Sequence, residues 1–266
     1  MYPLLLDPSG HTIPNDMIIG TGGYGVVIRE NNEAIKLPLR HSGTTAERTR
    51  IRIRNIHQER DAYGRIGIHD GVVPFLGATE NTIRLQFMPK KDLSTYLENC
   101  GPSPPKSIQL SWILQMARTL EFIHSRRVLI CDIACRNMLL DSQMNLRFCD
   151  FGKSKVLPMD TCMETVNLSG YSIHTDIGQL GSAIYQVVTR AFVAFLPAIP
   201  DIITNKTSRW PAKNTRPKTD GIWMGEIIDK CWTKGSVANV GELVREIETF
   251  AARQDKLGTS IEVGDN

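Results

Sequence analysis

The chain has 266 residues, of which 41% are hydrophobic and 22% charged, and its formal net charge is +3. This composition is typical of an ordinary globular protein, and the length allows one large domain with two lobes. The charge is too small to indicate binding to nucleic acid or to a membrane. The longest apolar run, AFVAFLPAIPDII, is interrupted by prolines and is shorter than the roughly 20 residues of a membrane span.

The cysteines and the first residues bear on the compartment. Six cysteines are spaced unevenly and form no C-x-x-C pair, a usage typical of reduced thiols. The opening MYPLLLDPSG has no basic segment before its three leucines, so no secretory signal is expected. We therefore expect a cytoplasmic or nuclear protein.

The first part of the chain reads mainly as strands. IIGTGGYGVVIRE, the pair Asn31-Asn32 and EAIKLP form a hairpin pattern, because Asn tolerates the left-handed conformation of a tight turn. Residues 44–67 have a helical period, and GVVPFLGATE and TIRLQFM are again strand-like. From Asp92 onward helical patterns dominate. The pattern predicts an α+β chain with a small β-rich lobe, one main helix in that lobe, and a larger, mainly helical lobe.

GTGGYG is a glycine-rich loop with glycines at Gly20, Gly22 and Gly25. Dinucleotide-binding folds also carry G-x-G-x-x-G, but there a helix opens directly after the loop. Here a strand, a turn and a second strand follow, and the chain has no G-x-x-x-x-G-K-[ST] sequence of a P-loop. The pattern indicates a flexible β-hairpin that covers a nucleotide; a glycine-rich turn without a ligand is the alternative for the loop taken alone.

Further motifs follow the glycine loop in a fixed order. Lys36 lies eleven residues after the last glycine, Glu59 lies in the predicted helix, and Asp132 and Asn137 are five apart in VLICDIACRNMLL. Asp-Phe-Gly stands at 150–152. This series resembles the motif set of the eukaryotic protein kinase family over almost the whole chain. AYGRIG, HSRRVLICDIACRNMLLD and KCW are similar to compact, divergent kinase domains of filamentous fungi.

The resemblance implies one protein kinase domain over residues 1–266, with a two-lobe fold. The N-lobe is expected at about 10–88, the hinge at about 86–91, the C-lobe at about 92–255 and a C-terminal tail at 256–266.

The resemblance also implies an ATP site. In this family the strand lysine, here Lys36, binds the α- and β-phosphates and pairs with a helix glutamate. Glu59 is preferred to Glu47 for that partner because Tyr63, one turn later, would pack in the core. Leu85 would be the gatekeeper before the hinge, and Asp92 would reach the ribose. The residues implied around ATP are Gly20, Gly22, Gly25, Val27, Ala34, Lys36, Glu59, Leu85, Gln86, Met88, Asp92, Leu139 and Asp150.

The implied catalytic residues are Lys36, Asp132, Arg136 and Asn137. Asp132 would orient the acceptor hydroxyl and take its proton. Asn137 and Asp150 would bind Mg²⁺, which prefers hard oxygen ligands and is often held by few side chains plus substrate phosphates. Asp176 resembles the buried aspartate that holds the catalytic loop's backbone, a structural role.

Three departures from the family pattern stand out. Ile130 and Cys131 replace the usual His-Arg before Asp132, and the Arg normally pairs with a phosphate on the activation segment. Its loss predicts activity that does not depend on such phosphorylation. Only 24 positions separate Gly152 from Asp176, without an Ala-Pro-Glu motif, which puts substrate docking in doubt.

The acceptor is less well defined than the ATP site. Ala134 stands where serine/threonine kinases usually have a lysine, and Arg136 follows as in tyrosine kinases, where it could supply the same charge. A protein serine or threonine is favoured as acceptor over tyrosine, with ATP and Mg²⁺ as cofactors and no nucleic acid or membrane partner. The alternatives are a pseudokinase that acts as an interaction scaffold and a kinase of small molecules.

Overall fold

The computed structural model describes residues 4–195, 210 and 213–261. A five-stranded antiparallel sheet forms the N-terminal region, in the order β1-β2-β3-β5-β4. Its elements are β1 (Ile18–Thr21), β2 (Gly25–Glu30), β3 (Glu33–Pro38), α1 (Ala46–Ile66), β4 (Phe75–Ala78) and β5 (Ile83–Gln86). Asn31 has φ 53° in the two-residue turn between β2 and β3, so the predicted hairpin is present.

The register of the sheet separates a core face from a cleft face. Val26 and Ile28 of β2 are buried in a small cluster with Ile13 and Leu37. Because side chains alternate along a strand, Val27 points the other way, and it lies directly opposite Lys36 of β3. Leu85 of β5 shares this second face through its pairing with Ala34. One face of the sheet therefore carries Lys36 together with the apolar side chains of Val27, Ala34 and Leu85. Lys36 on this face reaches Asp150 of the second lobe.

Helix α1 has clear signals at both ends. Thr45 caps its N-terminus by accepting a hydrogen bond from the N–H of Arg48 (3.3 Å). Gly67 ends it with φ 75°, a left-handed conformation that glycine adopts without strain, and donates its N–H to the carbonyl of Tyr63. The predicted helical stretch 44–67 thus folds as one long helix.

The C-terminal region is mainly helical. Its helices are α2 (Leu93–Asn99), α3 (Lys106–Ser125), α4 (Ile173–Thr189), α5 (Gly225–Trp232) and α6 (Val240–Ile261). Its short strands are β6 (Val128–Leu129), β7 (Met138–Leu140), β8 (Leu146–Phe148) and β9 (Lys155–Val156), paired as β6-β9 and β7-β8. Helix α4 is buried along most of its length, and a Cβ at Gly181 would meet Cys231 of α5 at 2.5 Å, so glycine permits this close packing.

One core cluster runs through both regions, from Ile56 and Tyr63 on α1, past Phe151, to α4 and α5. The predicted α+β two-lobe architecture is confirmed. Helix α6 continues to Ile261, so the part of the expected tail from 256 to 261 is helical, and residues 262–266 lie outside the described part. Among the described residues, no helix is both long enough and apolar enough to span a membrane.

Candidate active site

Lys36 lies at the centre of an ion-pair network between the lobes. Its Nζ is 2.6 Å from Oε2 of Glu59 on α1 and 2.7 Å from Oδ1 of Asp150. A Cβ at Gly25 would lie 3.1 Å from Cε of Lys36, so the missing side chain makes room for the lysine stem. Glu47, the other glutamate considered, is exposed on the first turn of α1. The structure therefore brings together the strand lysine, the preferred helix glutamate and the aspartate of Asp-Phe-Gly.

The three groups of this network shift one another's pKa. Burial lowers the pKa of Lys36, but the charges of Glu59 and Asp150 outweigh burial and raise it above its ordinary value. Burial raises the pKa of Glu59, and Lys36 offsets only part of that rise. Burial also acts to raise the pKa of Asp150, yet the ammonium of Lys36 and a hydrogen bond bring it below its ordinary value. Lys36 and Asp150 are therefore charged at neutral pH.

Apolar side chains border the space between the sheet and the second lobe. Val27, Ala34 and Leu139 are half-buried, so each keeps a surface that a flat ring could cover. Leu85 and Met88 are buried in the main core cluster beside them. The role of these residues as an adenine site stays a prediction.

The remaining residues of the predicted ATP site differ in their surroundings. Gln86 ends β5 and is exposed, Gly20 lies in β1 opposite Val27 and is half-buried, and Gly22 lies on the exposed loop between β1 and β2. Asp92 caps α2, since its carboxylate accepts hydrogen bonds from the N–H and the Oγ1 of Thr95 (2.9 and 2.7 Å). The cap gives Asp92 a structural function beside the predicted contact with a ribose.

Asp176 on α4 binds the backbone of residues 130–137, the loop between β6 and β7 that carries Asp132 and is called the catalytic loop below. Its carboxylate is fully buried and accepts hydrogen bonds from the N–H of Ile130 (2.8 Å), the N–H of Cys131 (2.9 Å) and Nε2 of His124 (2.9 Å). Cys131 has φ 65°, a conformation that costs free energy in a residue with a side chain. The bonds to Asp176 stabilise this turn and so position the next residue, Asp132. The predicted structural contact is present.

Gln179, one turn further along α4, supports the same loop. Its Oε1 accepts a hydrogen bond from the N–H of Ile133 (2.8 Å), and its Nε2 donates to the carbonyl of Cys131 (3.1 Å). The backbone on both sides of Asp132 is thus bonded to one buried helix.

Two cations and an amide surround the carboxylate of Asp132. A guanidinium nitrogen of Arg136 is 2.7 Å from Oδ1, and Nζ of Lys153 is 3.1 Å from Oδ2. The amide nitrogen of Asn137 donates to the backbone carbonyl of Asp132 (2.8 Å) and is 3.3 Å from Oδ2. These contacts hold the carboxylate of Asp132 in one orientation.

Asn137 and Asp150 could hold a divalent cation. Asn137 uses its amide nitrogen for the bonds to Asp132, so its amide oxygen is the atom that would ligate. Asp150 adds a carboxylate, and both are hard oxygen donors of the kind that Mg²⁺ takes. Within the described ranges no three His, Cys, Asp or Glu side chains cluster as a metal site. A cation between Asn137 and Asp150 would therefore draw its other ligands from phosphates and water.

Helix α1 binds the start of the activation segment, residues 153–172. The side chain of Gln58 donates to the carbonyl of Ser154. Arg65 donates to the carbonyl of Leu157 (2.6 Å), and its own carbonyl accepts from Arg126 (3.1 Å). The helix that carries Glu59 is thereby tied to the segment that follows Asp150.

An apolar cluster replaces the usual charge at Cys131. The cluster consists of Leu129, Cys131, Leu157, Met163 and Ile173, all buried. Ile130 is also buried, in the main core. The two residues that stand in place of His-Arg therefore pack against the core and the activation segment without any charge.

A cavity lies beside Asp132, which is one of its lining residues. It is bordered by the catalytic loop at Ala134 and Arg136, by α4, and by the segment 192–195 after α4. Phe195 packs directly on α4, where a Cβ at Gly178 would meet its ring at 2.3 Å. The segment 192–195 thus packs on α4 and borders the cavity.

Reasoning from the sequence missed five residues of this site: Lys153, Gln179, Gln58, Arg65 and Ser154. Lys153 carried the strongest available signal, because it directly follows Asp-Phe-Gly. Gln179 contacts Ile133 across 46 positions of sequence, and Gln58 and Arg65 contact Ser154 and Leu157 across 96 and 92 positions, which spacing does not reveal.

Comparisons with known proteins agree with this geometry. A protein kinase domain model matches residues 14–194. The mitogen-activated protein kinase kinase kinase ANP1 of Arabidopsis thaliana is 26% identical over 198 residues, covering 65% of this chain and 29% of that protein. The tyrosine-protein kinase receptor svh-2 of Caenorhabditis elegans is 22% identical over 273 residues, covering 90% and 25% respectively.

A third relative, the probable serine/threonine-protein kinase PBL4 of Arabidopsis thaliana, is 29% identical over 157 residues, covering 54% of this chain and 38% of that protein. The chain thus spans well under half the length of these relatives, which include kinases of both acceptor classes. The family model covers more than half of the chain. The chain belongs to the protein kinase family.

Proposed function

We propose that this chain is an active protein kinase that transfers the γ-phosphate of ATP to a hydroxyl of a protein, with Mg²⁺ as its metal ion. The observation that carries the proposal is the assembled network of Lys36, Glu59 and Asp150 beside a positioned Asp132. Such a network is costly to keep buried, because an ion pair removed from water loses hydration energy. Binding of a nucleotide would explain why the chain keeps this buried network despite its cost in hydration energy.

Each residue has one task in the proposed reaction. Lys36 binds the α- and β-phosphates, and Asn137 and Asp150 hold the metal ion, which neutralises charge on the phosphates. The acceptor oxygen forms a bond to the γ-phosphorus, and the bond from that phosphorus to the β,γ-bridging oxygen breaks, its electron pair passing to ADP. Asp132 orients the acceptor hydroxyl and takes its proton.

The proposed kinase is active without phosphorylation of its activation segment. The bonds from Gln58 and Arg65 already tie α1 to that segment, and Cys131 joins the segment through apolar packing. In this arrangement Lys36 and Glu59 are paired in the protein alone. A phosphate on the activation segment would find no arginine to pair with at the position before Asp132, because that position is Cys131.

The proposed acceptor is serine or threonine on a protein. PBL4 and ANP1 are named as kinases of the serine/threonine or mitogen-activated cascade type, whereas svh-2 is named a tyrosine kinase. The cavity beside Asp132 lies where an acceptor segment would pass. A serine or threonine side chain is short, so its hydroxyl reaches Asp132 only if the substrate backbone lies close to the loop.

Transfer of label from γ-labelled ATP with Mg²⁺, to the protein itself and to a mixed protein substrate, tests the proposal. Asp132→Asn should lower transfer by about 10²–10⁴-fold, the typical contribution of a general base, while ATP affinity stays within about threefold. Asp61→Asn is the matched control, since that aspartate is exposed and pairs with its sequence neighbour Arg60. Phosphoserine or phosphothreonine is the expected product, and phosphotyrosine would contradict the acceptor assignment.

The short activation segment favours two other functions that the same experiment separates. A pseudokinase would bind ATP and transfer no label to any acceptor. A small-molecule kinase would ignore proteins and label a member of a metabolite panel that offers hydroxyl acceptors. Transfer to protein that Asp132→Asn abolishes excludes both.

A further inference from the structure

We infer that Lys153, the residue after Asp-Phe-Gly, binds the γ-phosphate during transfer and so supplies the cation that position 134 lacks. The inference rests on the proposed function and adds a residue to the reacting site. Ala134 has no charge to offer, while Lys153 lies on a different segment, 21 positions away from Asp132 in the sequence but in contact with it.

The position of Lys153 carries the inference. Its Nζ lies 3.1 Å from Oδ2 of Asp132. Its charge also contributes to lowering the pKa of Asp150, so the ammonium is within electrostatic reach of both carboxylates. The proposed metal-binding side chain and the proposed base stand on either side of the γ-phosphate during transfer. A cation close to both is therefore placed where the transferred group carries its charge.

The chemistry of lysine suits this task. An ammonium has three donors, so Lys153 can keep its bond to Asp132 and still bind a phosphate oxygen. Its side chain is 50% exposed, which leaves the flexible stem free to follow the phosphate. As the acceptor oxygen bonds to the γ-phosphorus and the bond to ADP breaks, Lys153 offsets the negative charge on the γ-phosphate oxygens and exchanges no atoms.

The neighbouring cations have other partners. Lys36 is bound on both sides by Glu59 and Asp150 and faces the α- and β-phosphates in the proposed reaction. Arg136 is bound to Oδ1 of Asp132, on the other oxygen of the carboxylate. Lys153 thus adds a second, separate cation to Asp132, and its removal leaves Lys36 and Arg136 in place.

The test uses Lys153→Met, which keeps most of the stem and removes the charge, and Lys153→Arg, which keeps the charge. Lys155→Met is the matched control, because Lys155 carries the same charge two positions later, where β9 pairs with Leu129 of β6. Two quantities are measured with Mg²⁺: kcat at saturating ATP, and the ratio of affinities for the β,γ-imido analogue of ATP and for ADP.

Lys153→Met should lower kcat by roughly 10²-fold, the usual effect of removing one group that stabilises transition-state charge. It should weaken binding of the imido analogue while the affinity for ADP stays within threefold, and Lys153→Arg should restore most of both. A kcat within threefold of the parent protein would overturn the inference. So would an equal loss of affinity for both nucleotides, which indicates a purely structural role for Lys153 beside Asp150.

The two measurements also separate this inference from the proposed function. If the parent protein transfers no label, the proposed function fails, and the affinity ratio still decides whether Lys153 contacts the γ-phosphate. If the parent protein is active and Lys153→Met leaves kcat and the ratio unchanged, the inference alone fails.

Discussion

Replacing Asp176 by asparagine tests whether a buried carboxylate on α4 holds the catalytic loop. The change keeps the size of the side chain and alters only its hydrogen-bonding atoms. In the protein the two carboxylate oxygens accept from the N–H groups of Ile130 and Cys131 and from Nε2 of His124. All of these groups are buried, so water cannot replace a lost acceptor.

The expected cost follows from counting the donors. Asparagine offers one oxygen and turns the other atom into an NH₂ donor. If the oxygen serves Ile130 and His124, the NH₂ group faces the N–H of Cys131, and two buried donors are left unsatisfied there: that N–H and the new NH₂ group. Each buried unsatisfied polar group costs about 1–3 kcal/mol, so the free energy of unfolding should fall by roughly 2–6 kcal/mol. A domain has only about 5–15 kcal/mol in total.

Urea unfolding followed by tryptophan fluorescence measures this loss, since Trp112 and Trp232 are buried in the same region. Asp61→Asn serves as the control: its side chain is 61% exposed, and a surface pair of this kind contributes at most about 1 kcal/mol. Phosphate transfer should fall more than ADP affinity, because the loop carries Asp132 and the ADP contacts lie elsewhere. A loss of stability below 1 kcal/mol for Asp176→Asn would refute the reasoning.

Two further predictions concern the network around Lys36, and a third concerns the bond between Arg65 of α1 and the activation segment. Gly25→Ala should weaken ATP binding by about tenfold, because its Cβ would lie 3.1 Å from Cε of Lys36 and overpacking of this kind costs about 1–3 kcal/mol; Gly64→Ala, on the exposed face of α1 where an added Cβ meets no described atom within 4 Å, should change affinity by less than about threefold in the same titration. The folded-state pKa of Asp150 lies below its ordinary 3.8, so the stability that its charge contributes is present above pH 3.8 and is lost as pH falls through the folded-state value. The difference in unfolding free energy between the parent protein and Asp150→Asn should therefore shrink below pH 3.8 in acid titrations, and a constant difference would contradict this. Arg65→Ala should lower kcat several-fold and raise hydrogen exchange in the activation segment, because it removes a charge-assisted bond of about 1.5–3 kcal/mol; unchanged exchange would argue against the tie.

Local patterns in the chain were sufficient for much of the fold. The hairpin formed around Asn31-Asn32 because alternation and turn chemistry act over a few residues. Helix α1 likewise followed from its helical period, and the structure adds its caps, Thr45 and Gly67. The short strands β6 to β9 were missed, because two or three residues carry too little alternation to indicate a strand.

The sequence by itself determined the identity and order of the chemical groups: the glycine loop, Lys36, Asp132, Asn137 and Asp150. Their spacing was informative because each motif spans only a few residues, and the chemistry of its side chains suits one function in the site. Only the tertiary structure decided which charges meet. In the structure Lys36 pairs with Glu59, the glutamate that the sequence favoured over Glu47. Asp92 caps α2, and Lys153 lies beside Asp132, two contacts that the sequence did not predict. Such contacts depend on how α1, the catalytic loop and α4 pack, and packing joins residues without regard to their distance along the chain.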